Sequence, residues 1–184
     1  MAQKKRIYLA GPEVFFPASE HQAIVAEKKR LLMAAELEGV DPLDTDLNLD
    51  PNLSKRERGF QIYRANRELM DSCDGIIANL TPFRGSSADP GTVFEVGYMI
   101  GQGKPAVGFT VDGRRYFERA GNVPEDERGH VIEDFDLGDN LMIECGLKES
   151  GGALVNNGGE RSDSFFSGAL FEQCVALLAR QVGG

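Results

Sequence analysis

Apolar residues recur along this chain in two ways, as short runs that suit strands and as longer stretches with one apolar face that suit helices. Arg6–Ala10, RIYLA, is rich in strand formers and stops at Gly11-Pro12, which predicts a first strand. After Pro17, Ser19 and Gln22 have capping-box spacing, and Ile24, Leu31, Leu32 and Ala35 share a helical face that ends at Gly39. A short strand near Val40 and a polar loop follow. Ser54 and Glu57 open a second helix with Ile62, Ala65, Leu69 and Cys73 on its apolar face. Residues 75–80, GIIANL, read as a buried strand, 82–90 as a loop, 91 to about 101 as a helix, and 105–110, PAVGFT, as another strand. Residues 111–140 show little period and predict a long, partly irregular connection. A last helix is expected over about 164–180, with Phe166, Leu170, Cys174 and Leu177 inward.

Strands separated by helices require right-handed crossovers, and therefore a parallel sheet covered on both faces. The expectation is a single α/β domain with a doubly wound, flavodoxin-like parallel sheet of about five strands and helices on both faces. Ligands of such sheets bind outside the carboxyl ends of the strands, where the strand order reverses. Chemistry is therefore to be sought in residues 10–17, in 81–90, and at the start of the helix at Gly91.

That helix begins in the stretch ADPGTVFEVGY, residues 88–98, which is apolar almost all the way round, as a buried helix is. Glu95 nevertheless stands in its middle. A helical carboxylate ordinarily reaches solvent or pairs with an arginine such as Arg84. Here Val93, Phe94, Val96 and Tyr98 surround it, and burying an unpaired carboxylate costs several kcal/mol or forces it to protonate. A chain that keeps such a group has a use for it. The helix N-terminus favours the ionised form by roughly 0.3 to 1 kcal/mol, which suits a nucleophile. Asp89 reads either as the N-cap of this helix or as part of the same site, and Asp74 as a turn residue or a second functional carboxylate. Glycosyl transfer needs two such groups, one to attack the anomeric carbon and one to protonate the leaving group. Phe15 and Phe16 fit core packing or stacking on a base.

Length and charge narrow the classes. The chain has 184 residues, enough for one α/β domain. Its formal net charge of -9, with basic residues mixed among acids, argues against binding a nucleic-acid polymer. No segment has the pattern of a signal peptide or the length of a membrane span, so a cytoplasmic protein is expected. Cys73, Cys145 and Cys174 suggest neither a disulfide framework nor a zinc site, and His21 and His130 alone offer little for metal binding. Asp44, Asp46, Asn48 and Asp50 imitate a calcium loop, but Leu49 replaces the required glycine and Lys55 the bidentate glutamate. GQGKP at 101–105 ends a helix rather than opening one, and LAGP at 9–12 lacks the glycines of a dinucleotide fingerprint.

Four stretches in order, IYLAGPEVFFP (7–17), CDGIIANLTPFRG (73–85), DPGTVFEVGYMIGQGKP (89–105) and NLMI (140–143), resemble the nucleoside 2-deoxyribosyltransferase family. The resemblance implies exchange of the base of a 2'-deoxynucleoside for a free nucleobase through a covalent deoxyribosyl enzyme, with slow hydrolysis when water replaces the acceptor. It implies Glu95 as nucleophile, Tyr8 as its hydrogen-bond partner, Asp74 beside the base and implicated in its protonation, and Asp89 on the sugar 5'-hydroxyl. Gly11 and Phe15 would line the pocket. Asn140 and Met142 would enter the site of a neighbouring subunit, making a dimer-based homo-oligomer with shared sites. No cofactor, metal or membrane is implied.

Two other readings share the fold. Hydrolases of deoxynucleoside 5'-monophosphates resemble this sequence but carry a serine at the position of Asp89, where an aspartate would repel the phosphate. A non-catalytic nucleotide-binding module would have no need of Glu95.

Overall fold

The computed structural model describes residues 4–45, 47 and 49–183. Asp46 and Asn48 of the calcium-loop imitation lie outside them. Five strands, β1 (Arg6–Ala10), β2 (Glu38–Val40), β3 (Gly75–Asn79), β4 (Ala106–Phe109) and β5 (Leu154–Val155), form one sheet in the order β2-β1-β3-β4-β5. All four pairings are parallel. The order reverses at β1, so the crevice lies above the carboxyl ends of β1 and β3.

Alternation along the strands divides the core in two. Ile7, Leu9, Ile77, Val107 and Phe109 face α1 (Ala18–Ala34) and α6 (Gly168–Val182). Tyr8, Ala10, Ile76, Ala78 and Ala106 face the other way, toward Met70 of α2 (Lys55–Asp71), Val96 and Met99 of α3 (Pro90–Gly101), and Ile143 and Leu147 of α5 (Leu141–Glu149). Small residues dominate this second face. A Cβ added at Gly108 would lie 2.5 Å from Leu80 Cδ1 and 3.1 Å from Leu147 Cδ1, so the helices here pack close to the sheet.

The expected capping box at Ser54 and Glu57 forms: Ser54 Oγ accepts the Glu57 N–H at 3.2 Å, and Glu57 Oε2 accepts the Ser54 N–H at 2.9 Å. The one expected at Ser19 and Gln22 does not. A single turn at Pro12–Phe15 brings the chain to Pro17, which is itself the N-cap, and Ser19 lies inside the helix. Helix α6 starts later than expected because Ser167 caps it, accepting the Leu170 N–H at 3.4 Å; Leu177 is only partly buried, and Phe171, Val175 and Leu178 are fully inward. Helix α2 reaches the core through Met70 near its far end, with Cys73 just beyond it, which leaves Ile62 exposed. The helix predicted to be buried on all sides, α3, is buried along Thr92, Val96 and Met99 only. Its outer side carries Phe94, 53% exposed and 6.3 Å from Tyr63 of α2. Residues 111–140 contain one short helix, α4 (Tyr116–Arg119), and an isolated bridge between Glu125 and Val131.

Candidate active site

The inner face of β1 places Tyr8 directly beneath α3, fully buried, and its hydroxyl donates to Glu95 Oε1 at 2.7 Å. Glu95 lies in the second turn of α3 and is partly buried. Burial pushes its carboxyl up to about 7, opposed by the Tyr8 hydrogen bond and reinforced by the negative charge of Asp89. The same burial, with Glu95 beside it, raises the Tyr8 phenol and keeps it protonated as a donor. Glu95 is thus a carboxylate oriented by a neutral donor, and at neutral pH it takes up or gives up a proton readily.

Asp89 is the N-cap of α3. Its Oδ2 accepts the Thr92 N–H at 3.1 Å, and Pro90 follows as the first helical residue. The N-cap reading of Asp89 holds, and its charge acts on Glu95.

Gly11 and Phe15 leave the carboxyl end of β1. Gly11 has extended backbone (φ 162°), and what requires glycine there is space, because an added Cβ would stand 1.9 Å from Glu13 Oε2. Glu13 is buried against Lys28 (Nζ to Oε1 2.6 Å) and Asn79, the last residue of β3, whose Nδ2 donates to Oε1 at 2.8 Å. The Lys28 ammonium also faces the rings of Phe109, Phe166 and Phe171 at 5.7 to 5.9 Å. This buried pair ties the first crevice loop to the two central strands. Phe15 is half-exposed and stacks on Phe83 at 5.6 Å, with the Arg84 guanidinium 4.9 Å from its ring centre, so the two crevice loops meet through aromatic contact.

Asp74 is not part of this constellation. It precedes β3, at the amino end of the sheet, roughly 17 Å from the carboxyl end at 3.3 Å per residue. There it accepts the Arg6 N–H at 2.8 Å and pairs with Lys5 at 3.0 Å. Burial opposes ionisation, but these two partners hold its carboxyl below the usual range. Of the two readings of Asp74, the turn residue is the one the geometry carries.

Asn140 caps α5, accepting the Met142 N–H at 3.0 Å and donating to Glu133 at 2.7 Å, while Met142 is 76% exposed. Neither is hydrogen-bonded to Glu95, which accepts from Tyr8. Ahead of them stands a residue that sequence reasoning missed. Asp139 accepts the N–H of Ala88 and the hydroxyl of Ser87, next to Asp89, and lies beside the buried Arg119. The Glu13–Lys28 pair was missed as well, although Lys28 sits at core spacing between Val25 and Leu32.

A cavity of about 470 Å³ opens elsewhere, between α1 and the turn at Pro42–Asp44, and its lining includes neither Tyr8 nor Glu95.

Comparison with known proteins shows the family and the fold. A Schizosaccharomyces pombe protein, uncharacterised, is 36% identical over 171 residues, covering 81% of this chain and 80% of its own. A solved 2-desoxiribosyltransferase from Leishmania mexicana superposes with a TM-score of 0.68 at 29% identity, covering 96% of this chain and 97% of that one. A conserved Enterococcus faecalis V583 protein shares the fold, with a TM-score of 0.59 at 20% identity over 95% of this chain and 98% of its own. The family described as Nucleoside 2-deoxyribosyltransferase matches residues 7–142, which include Tyr8, Asp89, Glu95 and Asn140. The chain belongs to the nucleoside 2-deoxyribosyltransferase family.

Proposed function

We propose that the protein exchanges nucleobases on 2'-deoxyribonucleosides by double displacement, with Glu95 forming a covalent bond to C1' of the sugar. The observation that carries this reading is the Glu95 carboxylate held by the Tyr8 hydroxyl at 2.7 Å, at the crevice where the strand order reverses. Tyr8 engages Oε1, which leaves Oε2 to attack. As the bond from Oε2 to C1' forms, the C1'–N bond breaks and the departing base takes a proton from water; an acceptor base then attacks C1', gives up its ring proton to water and regenerates the carboxylate. Because deoxyribose lacks the electron-withdrawing 2'-hydroxyl, its oxocarbenium-like transition state is easier to reach. The fixed negative charges of Glu95 and Asp89 stabilise that positive charge without reorganising. Water in place of the acceptor gives slow hydrolysis.

Asp89 holds the 5'-hydroxyl, since its capping role uses Oδ2 and Oδ1 takes no hydrogen bond among the described residues. The exposed face of Phe15 supports stacking on the base, with Gly11 keeping the loop close to Glu13. Asp74 has no part in the scheme. Oligomerisation is supported by the exposed aromatic side of α2 and α3, formed by Phe60, Tyr63 and Phe94, and by Met142, an exposed apolar side chain at the start of α5. In the assembly Asn140 and Met142 serve the neighbouring subunit's pocket.

Incubation of the pure protein with deoxyinosine and adenine or cytosine, followed by chromatography, tests the reaction. Formation of deoxyadenosine or deoxycytidine together with hypoxanthine supports exchange. Hypoxanthine and free deoxyribose alone would favour a hydrolase instead.

A further inference from the structure

Asp139 is 2% exposed, and a carboxylate buried that deeply must be fully supplied with donors. Its donors come from one place in the fold. Oδ2 accepts the Ala88 N–H at 3.0 Å, while Oδ1 accepts the Ser87 hydroxyl and, at 2.7 Å, the Asn140 N–H. Arg119, itself buried, stands 3.7 Å away, and its guanidinium gathers carbonyls from the same two segments, Ser86 at 2.9 Å and Gly138, together with that of Arg114. The carboxylate collects N–H and O–H groups and the guanidinium collects C=O groups. Together they staple residues 86–88 to residues 138–140, about fifty positions apart.

The stapled residues are the ones that aim Asp89. The loop leaving β3 passes through the exposed Arg84, at φ 59°, whose guanidinium lies over the Phe15 and Phe83 rings, and the exposed Gly85, and the Phe83 N–H donates across this turn to the Ser87 carbonyl at 3.0 Å. It is then gripped at Ser87 and Ala88, one residue before Asp89 caps α3. The direction of the Asp89 carboxylate thus depends on where Asp139 holds the preceding peptide. We propose that Asp139 is a positioning residue for the reaction, setting Asp89 at the distance a sugar 5'-hydroxyl requires. The proposal rests on the reading of Asp89 given above. Asp139 touches no substrate, since its side chain has almost no exposed surface.

A substrate without the 5'-hydroxyl separates positioning from general stabilisation. Asp139→Asn keeps the shape but loses the charge facing Arg119 and sets an amide N–H against one of the three donors. With 2'-deoxyadenosine as donor its kcat/KM is expected to fall by about tenfold, mainly through a higher donor KM, while the KM of the acceptor base stays within about twofold of wild type. With 2',5'-dideoxyadenosine, which gives Asp89 nothing to hold, the variant and the wild type should agree within about twofold. Ser87→Ala removes one bond to the same carboxylate and should show the same pattern at smaller amplitude, and it carries the comparison where Asp139→Asn does not fold. If the wild type distinguishes the two nucleosides but the variants lower both equally, the staple only stabilises the fold and the proposal fails alone. If the wild type treats the two nucleosides alike, Asp89 does not hold the 5'-hydroxyl, and that reading and the proposal fall together.

Discussion

The Tyr8 hydroxyl lies 2.7 Å from Glu95 Oε1, and the partner of this carboxylate is a neutral phenol rather than a cation. An arginine or lysine in that place would lower the carboxyl pKa and, with it, the nucleophilicity of the group. A phenol orients one oxygen, removes little charge, and cannot neutralise its neighbour. Tyr8→Phe is therefore expected to leave the fold intact and reduce kcat by about tenfold or more, the loss of one charge-assisted bond of ~1.5 to 3 kcal/mol. Steady-state kinetics on deoxyinosine check this, and an unchanged kcat would remove Tyr8 from the site.

Ionisation of Glu95 sets a pH dependence with a definite sign. Attack requires the carboxylate, so kcat/KM should rise with pH through about 7, where burial has placed this group. Since the Tyr8 bond lowers that value, Tyr8→Phe should move the midpoint higher.

Stability runs the other way. The folded carboxyl binds its proton more tightly than the unfolded one, so the favourable contribution is complete below about 4.5 and is lost as pH rises to about 7. The loss amounts to about 3 kcal/mol at most. Glu95→Gln cannot ionise and should therefore gain stability over wild type progressively across that window, as seen by urea denaturation at pH 5 and pH 8. A stability difference that does not change with pH would mean that the carboxylate is not desolvated.

The proposed role of Asp89 predicts discrimination between nucleoside and nucleotide. A 5'-phosphate would bring like charges together, at a penalty that can reach several kcal/mol. The wild type should strongly prefer deoxyadenosine over its 5'-monophosphate in kcat/KM, and Asp89→Ser should lose activity on the nucleoside while relaxing the preference. Preference of the wild type for the monophosphate would replace the transferase reading with the hydrolase one.

Shared sites make a prediction about mixtures. An inactive Glu95→Ala chain combined with an inactive Asn140→Ala chain should regain activity, because hybrid assemblies contain one site with both groups. Full activity of a protein shown by light scattering to be a monomer would contradict the arrangement.

What was legible in the sequence followed period and chain order. Alternating strands and helices implied the parallel sheet, and Glu95 stood out as the one carboxylate in an apolar helix. Long-range polar pairs were not legible. Nothing local marks Glu13 as the partner of Lys28, or Asp139 as the partner of Ser87 and Ala88, because each pairing depends on segments that only the sheet brings together. Asp74 stands apart for another reason: chain order already puts it ahead of β3, at the amino end of the strand, and only the family resemblance assigned it to the site. The aromatic outer side of α3 was read as core because an apolar pattern alone does not show which of its faces meets the sheet.

The central claim is that Glu95 becomes covalently bonded to the sugar. Rapid acid quenching of the protein with a 2'-deoxynucleoside and no acceptor, followed by proteolysis and mass spectrometry, tests it directly. One deoxyribosyl group is expected on the peptide containing Glu95, removed when an acceptor base is added before quenching and absent from Glu95→Gln. An unmodified Glu95 peptide under conditions where the free base is released in a burst, or the same adduct in Glu95→Gln, would contradict it.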